Sequence, residues 1–456
     1  MYAQAGAHEL EAGCRVTAAI TAYGTGLPDS TAPLRAMLDR LDPEDYLARA
    51  RVQLGLAWLW ATFAFPFRAA TYLESIDARA LGRPDLALRY HNISAFNAMT
   101  IGDLDAFRRE YAAWLEAARA SGAPQSVAGA YTNGAMAFAF FGLHEEAQQA
   151  IEDAHTAARA ARSRHAEESV YAFDVLCCVL RGDLTAARAA LERVSPASEN
   201  RVNITFATAF GTMIGAATGD RDLIATWFDG FEEDVLAKPE VEHGAGFAEI
   251  LVRRGRYTDA QDLLHRCLPD CELVRGNVPT LLAIGLYGRP EDRARARAYL
   301  QRAAQGPAPT PERAALALFD AREHRRNGRV AEARELGRAA AEGFHSLRYP
   351  LFEAAALETA GDMQSAIALY RKCGATHDAR RLTEPIPAAP APMDALSLRE
   401  QQIATLASQG RSNLQIAGDL SITHKTVEKH LASAYRKLGV KSRTLLSAVL
   451  SGSRKQ

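Results

Sequence analysis

The residues best suited to chemistry lie between positions 423 and 443. There the chain carries Thr423, Lys425, Thr426, Glu428, Lys429, Ala432, Arg436, Lys437, Lys441 and Arg443. Lys425, Glu428, Lys429, Ala432 and Arg436 recur at the spacing that gathers side chains on one helical face. A lysine on such a face can donate to guanine O6 or N7, and a glutamate can accept from cytosine N4. Thr423, Thr426, Lys437, Lys441 and Arg443 are of the types that hold phosphate oxygens, contacts that orient a protein on a duplex without reading its sequence. This is the chemistry of a double-stranded DNA surface.

Patterns for catalysis are missing. No lysine follows a glycine, which excludes a phosphate loop, and His-Glu-x-x-His, Gly-x-Ser-x-Gly and Gly-x-Gly-x-x-Gly do not occur. His144, Glu145 and Glu146 follow a turn glycine and open a helix, where acidic side chains complement the dipole. Cys14, Cys177, Cys178, Cys267, Cys271 and Cys373 follow neither a disulfide framework nor a zinc knuckle. Cys267 and Cys271, with His265 nearby, read as free thiols rather than as a metal site. The expectation is a chain that is not an enzyme and has no catalytic residue, metal or cofactor.

The elements that must position the basic face are well punctuated. Ser397-Leu398-Arg399-Glu400 reads as a capping box ahead of Ile403, Leu406 and Ala407, and Gly410 ends that helix. Ser412 and Gln415 form a second box, opening a short helix through Ile416, Ala417 and Leu420. After a turn at Ser421-Ile422, Thr423 can cap a third helix from about His424 to Leu438, with Val427, Leu431, Ala434 and Leu438 as its core stripe. Gly439 ends it, and Ser442 can cap a fourth helix carrying Leu445, Leu446, Val449 and Leu450. A short helix, a turn and a longer helix are helix-turn-helix spacing.

Just before this module stand Pro385, Pro387, Pro390 and Pro392, which forbid a helix and favour a semi-rigid extended spacer. The boundaries that follow are 1–384, a Pro-rich linker at 385–392, and 393–456. The 456 residues include 53 Lys+Arg and 54 Asp+Glu, a formal net charge of −1 that by itself would argue against nucleic acid. From Asp394 onward there are ten basic and four acidic residues, a net of +6, which leaves −7 on the rest. A basic module beside an acidic body is the electrostatic footprint of a nucleic-acid reader.

Residues 5–383 read as helix, short turn, helix. A glycine turn recurs at Gly102, Gly142, Gly182, Gly219, Gly255, Gly288, Gly328 and Gly361, at intervals of 33 to 40 residues. A turn at such a period marks a helical repeat array. Five residues on, five of the eight turns have alanine (Ala147, Ala187, Ala260, Ala333 and Ala366), small enough for the paired helices to approach closely. Such pairs cannot bury their faces alone and must stack. The aromatics at Trp58, Trp60, Phe63, Phe65, Phe67 and Tyr72, at Phe138, Phe140 and Phe141, and at Trp227, Phe228 and Phe231 read as packing; the competing reading is an apolar binding surface. Arg322, Arg325, Arg326 and Arg329 read as a solvated face. Met1–Leu10 has no basic region followed by an apolar one, and no apolar run reaches the length of a membrane span. The expected location is the cytoplasm, with no membrane partner.

The array resembles tetratricopeptide repeats, in which a turn glycine and an alanine five residues later are hallmark positions. Leu396–Leu450 resembles the LuxR-type helix-turn-helix in Leu396-Ser397, Arg399-Glu400, Gly410, Asn413, Ile416-Ala417, Leu420, Thr426-Val427, His430, Lys437-Leu438-Gly439-Val440 and Arg443. Leu414 and Glu428 stand where many members carry a basic residue. The run around Thr426–Leu431 and Tyr435–Leu438 is most similar to the large ATP-binding LuxR subgroup, here without the ATPase. The resemblance implies a bacterial transcription regulator whose third helix reads DNA, as a homodimer through the C-terminal domain. It makes His430 a partly structural member of the reading helix, ranked below Lys429. The expected fold is all-α: a tetratricopeptide-like superhelix followed by a four-helix LuxR-type domain. The array would sense a small molecule, a peptide or a protein, and these stay open. The alternative is an interaction scaffold whose helix-turn-helix does not read DNA.

Overall fold

The computed structural model describes residues 2–24, 30–62, 65–268, 277–305, 310–384, 398–420, 422–437 and 446. Among them every regular element is helical. From Pro84 onward the helices form antiparallel hairpins. Examples are Pro84–Ile101 with Leu104–Ala120, Pro124–Phe140 with His144–Ala160, Pro311–Arg326 with Val330–Ser346, and Pro350–Ala360 with Met363–Cys373. The first helices of successive hairpins also pack on one another, as a repeat stack requires. Several open on proline, whose missing N–H costs nothing in a first turn.

The turns explain the repeating signature. Seven of the eight expected glycines have a left-handed backbone, at Gly102, Gly142, Gly182, Gly219, Gly255, Gly328 and Gly361. Where aspartate follows, it caps the next helix. Asp103 accepts from the Ala106 N–H at 2.9 Å, Asp183 from Ala186 at 2.9 Å, Asp220 from Asp222 at 3.0 Å, and Asp362 from Ser365 at 3.1 Å. The Gly-Asp pair thus closes one helix and opens the next. Gly288 differs: it is extended, with φ −65° and ψ 160°. The helix Pro290–Ala303 begins two residues later, and an Arg289-Pro290 step favours an extended entry. The five turn alanines are all buried.

The aromatics are largely core. Phe107 lies edge-on to Phe138 at 5.3 Å, Trp227 stacks on Phe231 at 5.8 Å, and Trp60 meets Phe65 edge-on at 5.4 Å. Phe67 is 57% exposed, and Phe63 falls outside the described residues.

The stack does not stay open. Its last hairpins return to hairpins some two hundred residues earlier. The buried Tyr349 hydroxyl donates to the Ala139 carbonyl, the His144 ring meets the Leu347 carbonyl through Nε2 at 3.2 Å, and Arg348 pairs with Glu145 at 2.6 Å. Farther along, Thr376 donates to the Thr218 carbonyl at 2.9 Å, and Arg253 lies 3.5 Å from Asp378. One continuous hydrophobic cluster runs from Ala95 to Ala379 as a result. Two smaller clusters lie under the helices before it, and a fourth is made only of residues between Ile403 and Leu446. The expected proline linker lies outside the described residues. No helix among the described residues is long and apolar enough to cross a membrane.

Candidate nucleic-acid interface

The module after the linker has three described helices, Leu398–Ser408, Asn413–Asp419 and His424–Lys437. The first ends at Gly410 (φ 86°), where the Arg411 N–H reaches back to the Leu406 carbonyl at 3.2 Å. The second opens on the expected capping box. The Ser412 N–H donates to Gln415 Oε1 at 2.8 Å, and the Gln415 N–H donates to Ser412 Oγ at 3.3 Å. Ser397, the cap expected for the first helix, falls outside the described residues, whereas its box partner Glu400 is buried.

Thr423 caps the third helix. Its Oγ1 takes the Thr426 N–H at 3.1 Å and lies 2.7 Å from the Thr426 hydroxyl. Val427, Leu431 and Ala434 are buried against Ile403, Ala404, Ala407, Ile416, Ala417 and Leu446. Arg399 ties the first helix to the end of the second by donating to the Leu420 carbonyl at 3.0 Å. These contacts fix how the third helix is rotated, and therefore which side chains it presents.

At about 100° per residue, Lys425, Glu428, Lys429, Ala432 and Arg436 span an arc of roughly 100°, opposite the buried stripe. Lys425, Glu428, Lys429 and Ala432 are exposed, and Thr423 is exposed at the helix start. Thr426 and His430 are half-buried, at the edge of the core. Glu428 lies 3.6 Å from His424 one turn earlier. Arg436 and Lys437 lie on the described helix, which places Arg436 by register; Lys441 and Arg443 fall outside the described residues, as does most of the expected fourth helix. Leu446 alone of that helix is described, and it is helical and fully buried. Leu414, on the second helix, is 74% exposed.

The other candidates resolve structurally. His265 pairs through Nδ1 with the buried Asp292 at 2.7 Å, and the buried Cys267 thiol donates to the Glu240 carbonyl at 3.3 Å. Cys271 is outside the described residues. Burial pushes the Cys177, Cys178 and Cys267 thiols well above their ordinary range, which makes them unreactive. Among the described residues no group of three or more His, Cys, Asp or Glu could hold a metal ion. Three of the four residues of the arginine run, Arg325, Arg326 and Arg329, are exposed, as expected of a solvated face. Arg322 is the exception: it is half-buried and, with Arg325 and Arg326, lines a partly open pocket.

Comparison with known proteins finds the match in this module. Residues 394–450 fit the family of bacterial regulatory proteins, luxR family. Over 65 residues the chain is 48% identical to the transcriptional activator protein BjaR1 of Bradyrhizobium diazoefficiens, a stretch covering 14% of this chain and 26% of that protein. It is 41% identical over 59 residues to the putative HTH-type transcriptional regulator YhjB of Escherichia coli, covering 13% of this chain and 30% of the relative. It is also 41% identical over 49 residues to the spore germination protein GerE of Bacillus subtilis, covering 11% and 66%. The chain thus spans less than a third of the length of the first two relatives, and all three similarities are confined to short stretches. Capped short helix, capped long helix, shared core and family match coincide, so residues 394–450 form a luxR-family helix-turn-helix domain.

Proposed function

We propose that this protein is a sequence-specific DNA-binding transcription regulator. It acts by binding rather than by catalysis, and its helical array controls the luxR-family domain in response to a ligand or partner. The observation that carries the reading is the exposed face Lys425, Glu428, Lys429 and Ala432, held outward on a capped helix by the buried stripe Val427, Leu431 and Ala434. In this reading the helix His424–Lys437 enters the major groove. Lys425 and Lys429 meet guanine edges, Glu428 selects cytosine, and the Ala432 methyl group packs on a thymine methyl. Phosphates lie at the helix start, where the dipole and Thr423 favour them, and along Lys437, Lys441 and Arg443. Two copies associated through the C-terminal domain would read half-sites whose symmetry matches their own.

Support comes from the match to bacterial regulatory proteins and from the +6 charge of the segment after Asp394. The test is selection of bound sites from a genomic fragment library with the full chain, followed by a gel shift. The expected outcome is one enriched, dyad-symmetric motif. Retention without sequence preference, or no retention, would reject the reading in favour of an interaction scaffold.

A further inference from the structure

The closure of the helical stack leaves a cavity of about 680 Å³ between the hairpins around Met213, Gly246, Leu282, Arg322, Phe352 and Asp378. Its size is within the range of small-molecule sites. Most of the wall is apolar, formed by Met213, Leu282, Leu286, Leu351, Phe352 and Met363, and Leu286 is 41% exposed. The polar part is uneven in sign: five arginines face three carboxylates.

The carboxylates are already matched. Glu358 receives both guanidinium nitrogens of Arg381 at 2.8 Å. Glu249 pairs with Arg253 at 2.7 Å and accepts from the Tyr287 hydroxyl. Asp378 lies 3.5 Å from Arg253 and 3.9 Å from Arg381. Arg326 pairs with Glu323 and donates to the Gly285 carbonyl at 2.9 Å, and Arg325 caps the neighbouring helix end through the Thr359 carbonyl at 3.0 Å.

Arg322 is different. Its one described hydrogen bond goes to the Leu282 carbonyl at 3.2 Å, and it forms none of the described ion pairs, although Glu358 and Glu249 of the same pocket act on its charge from farther away while bonded to other groups. Burial pushes its guanidinium below the usual arginine range. Arginine nevertheless stays ionised in proteins, and a buried charge is tolerated when an opposite charge meets it. A planar fork with one donor used, in a pocket of mostly apolar wall where arginines outnumber carboxylates, matches a carboxylate on a hydrocarbon body.

We infer that the partly open pocket left by the closing of the stack is a binding site for a small amphipathic organic acid, its carboxylate held by Arg322 and its apolar body lying against Leu282, Leu286 and Phe352. The site rests on the sensing role proposed above only for its biological consequence; its geometry is independent of that role.

The test uses the full chain with octanoate, decanoate and phenylacetate as probes and 1-octanol as the uncharged match, read by calorimetry and thermal denaturation. The expected result is that at least one acid binds and raises Tm, with octanol about tenfold weaker or worse. In Arg322→Met that acid should weaken about tenfold or more and octanol should be unaffected, while Arg322→Lys should keep part of the preference. If Arg322→Met fails to fold, Leu286→Trp serves instead, since filling the partly exposed wall should reduce binding of acid and alcohol together. No binding by any of the acids, equal binding of acid and alcohol, or an acid preference that survives Arg322→Met would overturn the site. So would acid binding unchanged in Leu286→Trp. A gel shift with and without the bound acid separates the two proposals. Arg322-dependent acid binding that leaves DNA affinity unchanged upholds the site and rejects only the sensing role.

Discussion

Lys429 and Lys425 occupy the centre of the outward face, one turn apart on a helix whose rotation is fixed by Val427 and Leu431. Lys429→Ala should cost specific DNA binding about 1–3 kcal/mol if the lysine meets a base, with specificity relaxed at one position of the site. A lysine that meets only phosphate would instead lower affinity evenly and reduce the salt slope by about one. Gel shifts over a salt series distinguish the two roles. Another residue ties stability to pH. His243 is buried, its Nδ1 accepts the Glu240 N–H at 3.1 Å, and burial, followed by Arg201, lowers its pKa to about 4. The unfolded chain takes up a proton near pH 6.5, but the folded chain does not until about pH 4. Stability is therefore full above the unfolded value and is lost as pH falls through this window, by up to about 1.4 kcal/mol per pH unit. Glu242 and Asp378, whose carboxyls burial raises to about 7, pull the slope the other way in the same window, so the His243 share is read in denaturant unfolding between pH 7 and 4 as the difference between the wild type and His243→Gln.

At the scale of the helix and its turn, the structure separates two kinds of glycine that share one backbone conformation. At Gly182 (φ 76°) an added Cβ would come 2.3 Å from Pro350 Cγ and 2.9 Å from the Cys373 sulfur, whereas at Gly328 (φ 75°) it would meet nothing within 4 Å. Gly328→Ala should therefore cost only the left-handed strain, roughly 1–2 kcal/mol. Gly182→Ala should cost clearly more, because a proline ring and a buried sulfur must also move. Denaturant midpoints of the two variants check the order. This contrast also shows what was legible in the sequence. The turns, the buried alanines and the capped helices of the luxR-family domain follow from local chemistry within a few residues, so spacing alone reveals them. Gly288 escaped because the chain there leaves the helix through two extended residues, Gly288 and Arg289, the second restricted by Pro290, rather than through a left-handed cap. Arg322 escaped because it shares its spacing with Arg325, Arg326 and Arg329, which are exposed, while it alone is half-buried beside the pocket.

Across the whole molecule, the decisive contacts join segments about two hundred residues apart, and such contacts leave no periodic trace. Tyr349 carries one of them, buried with its hydroxyl on the Ala139 carbonyl. Tyr349→Phe would leave that carbonyl only the Gly142 N–H, at 3.1 Å, and should cost about 0.5–1.5 kcal/mol. Hydrogen exchange should show the loss of protection at both ends of the contact, in 124–160 and in 344–373, rather than at one. The same closure sets a rule for how a chain like this can change through its history. An open stack that loses a hairpin is merely shorter, but a stack whose end must meet its own middle has a fixed number of steps. Changes of length within a hairpin leave the number of steps untouched, and the 33- to 40-residue drift is of this kind: the 40-residue repeat from Gly142 has helices of 17 and 17 residues, the 33-residue repeat from Gly328 helices of 17 and 11. Duplication or deletion of a whole hairpin would carry Tyr349 past Ala139, so the tally of hairpins between them should be the slowest-changing property of the chain, slower than any side chain in it.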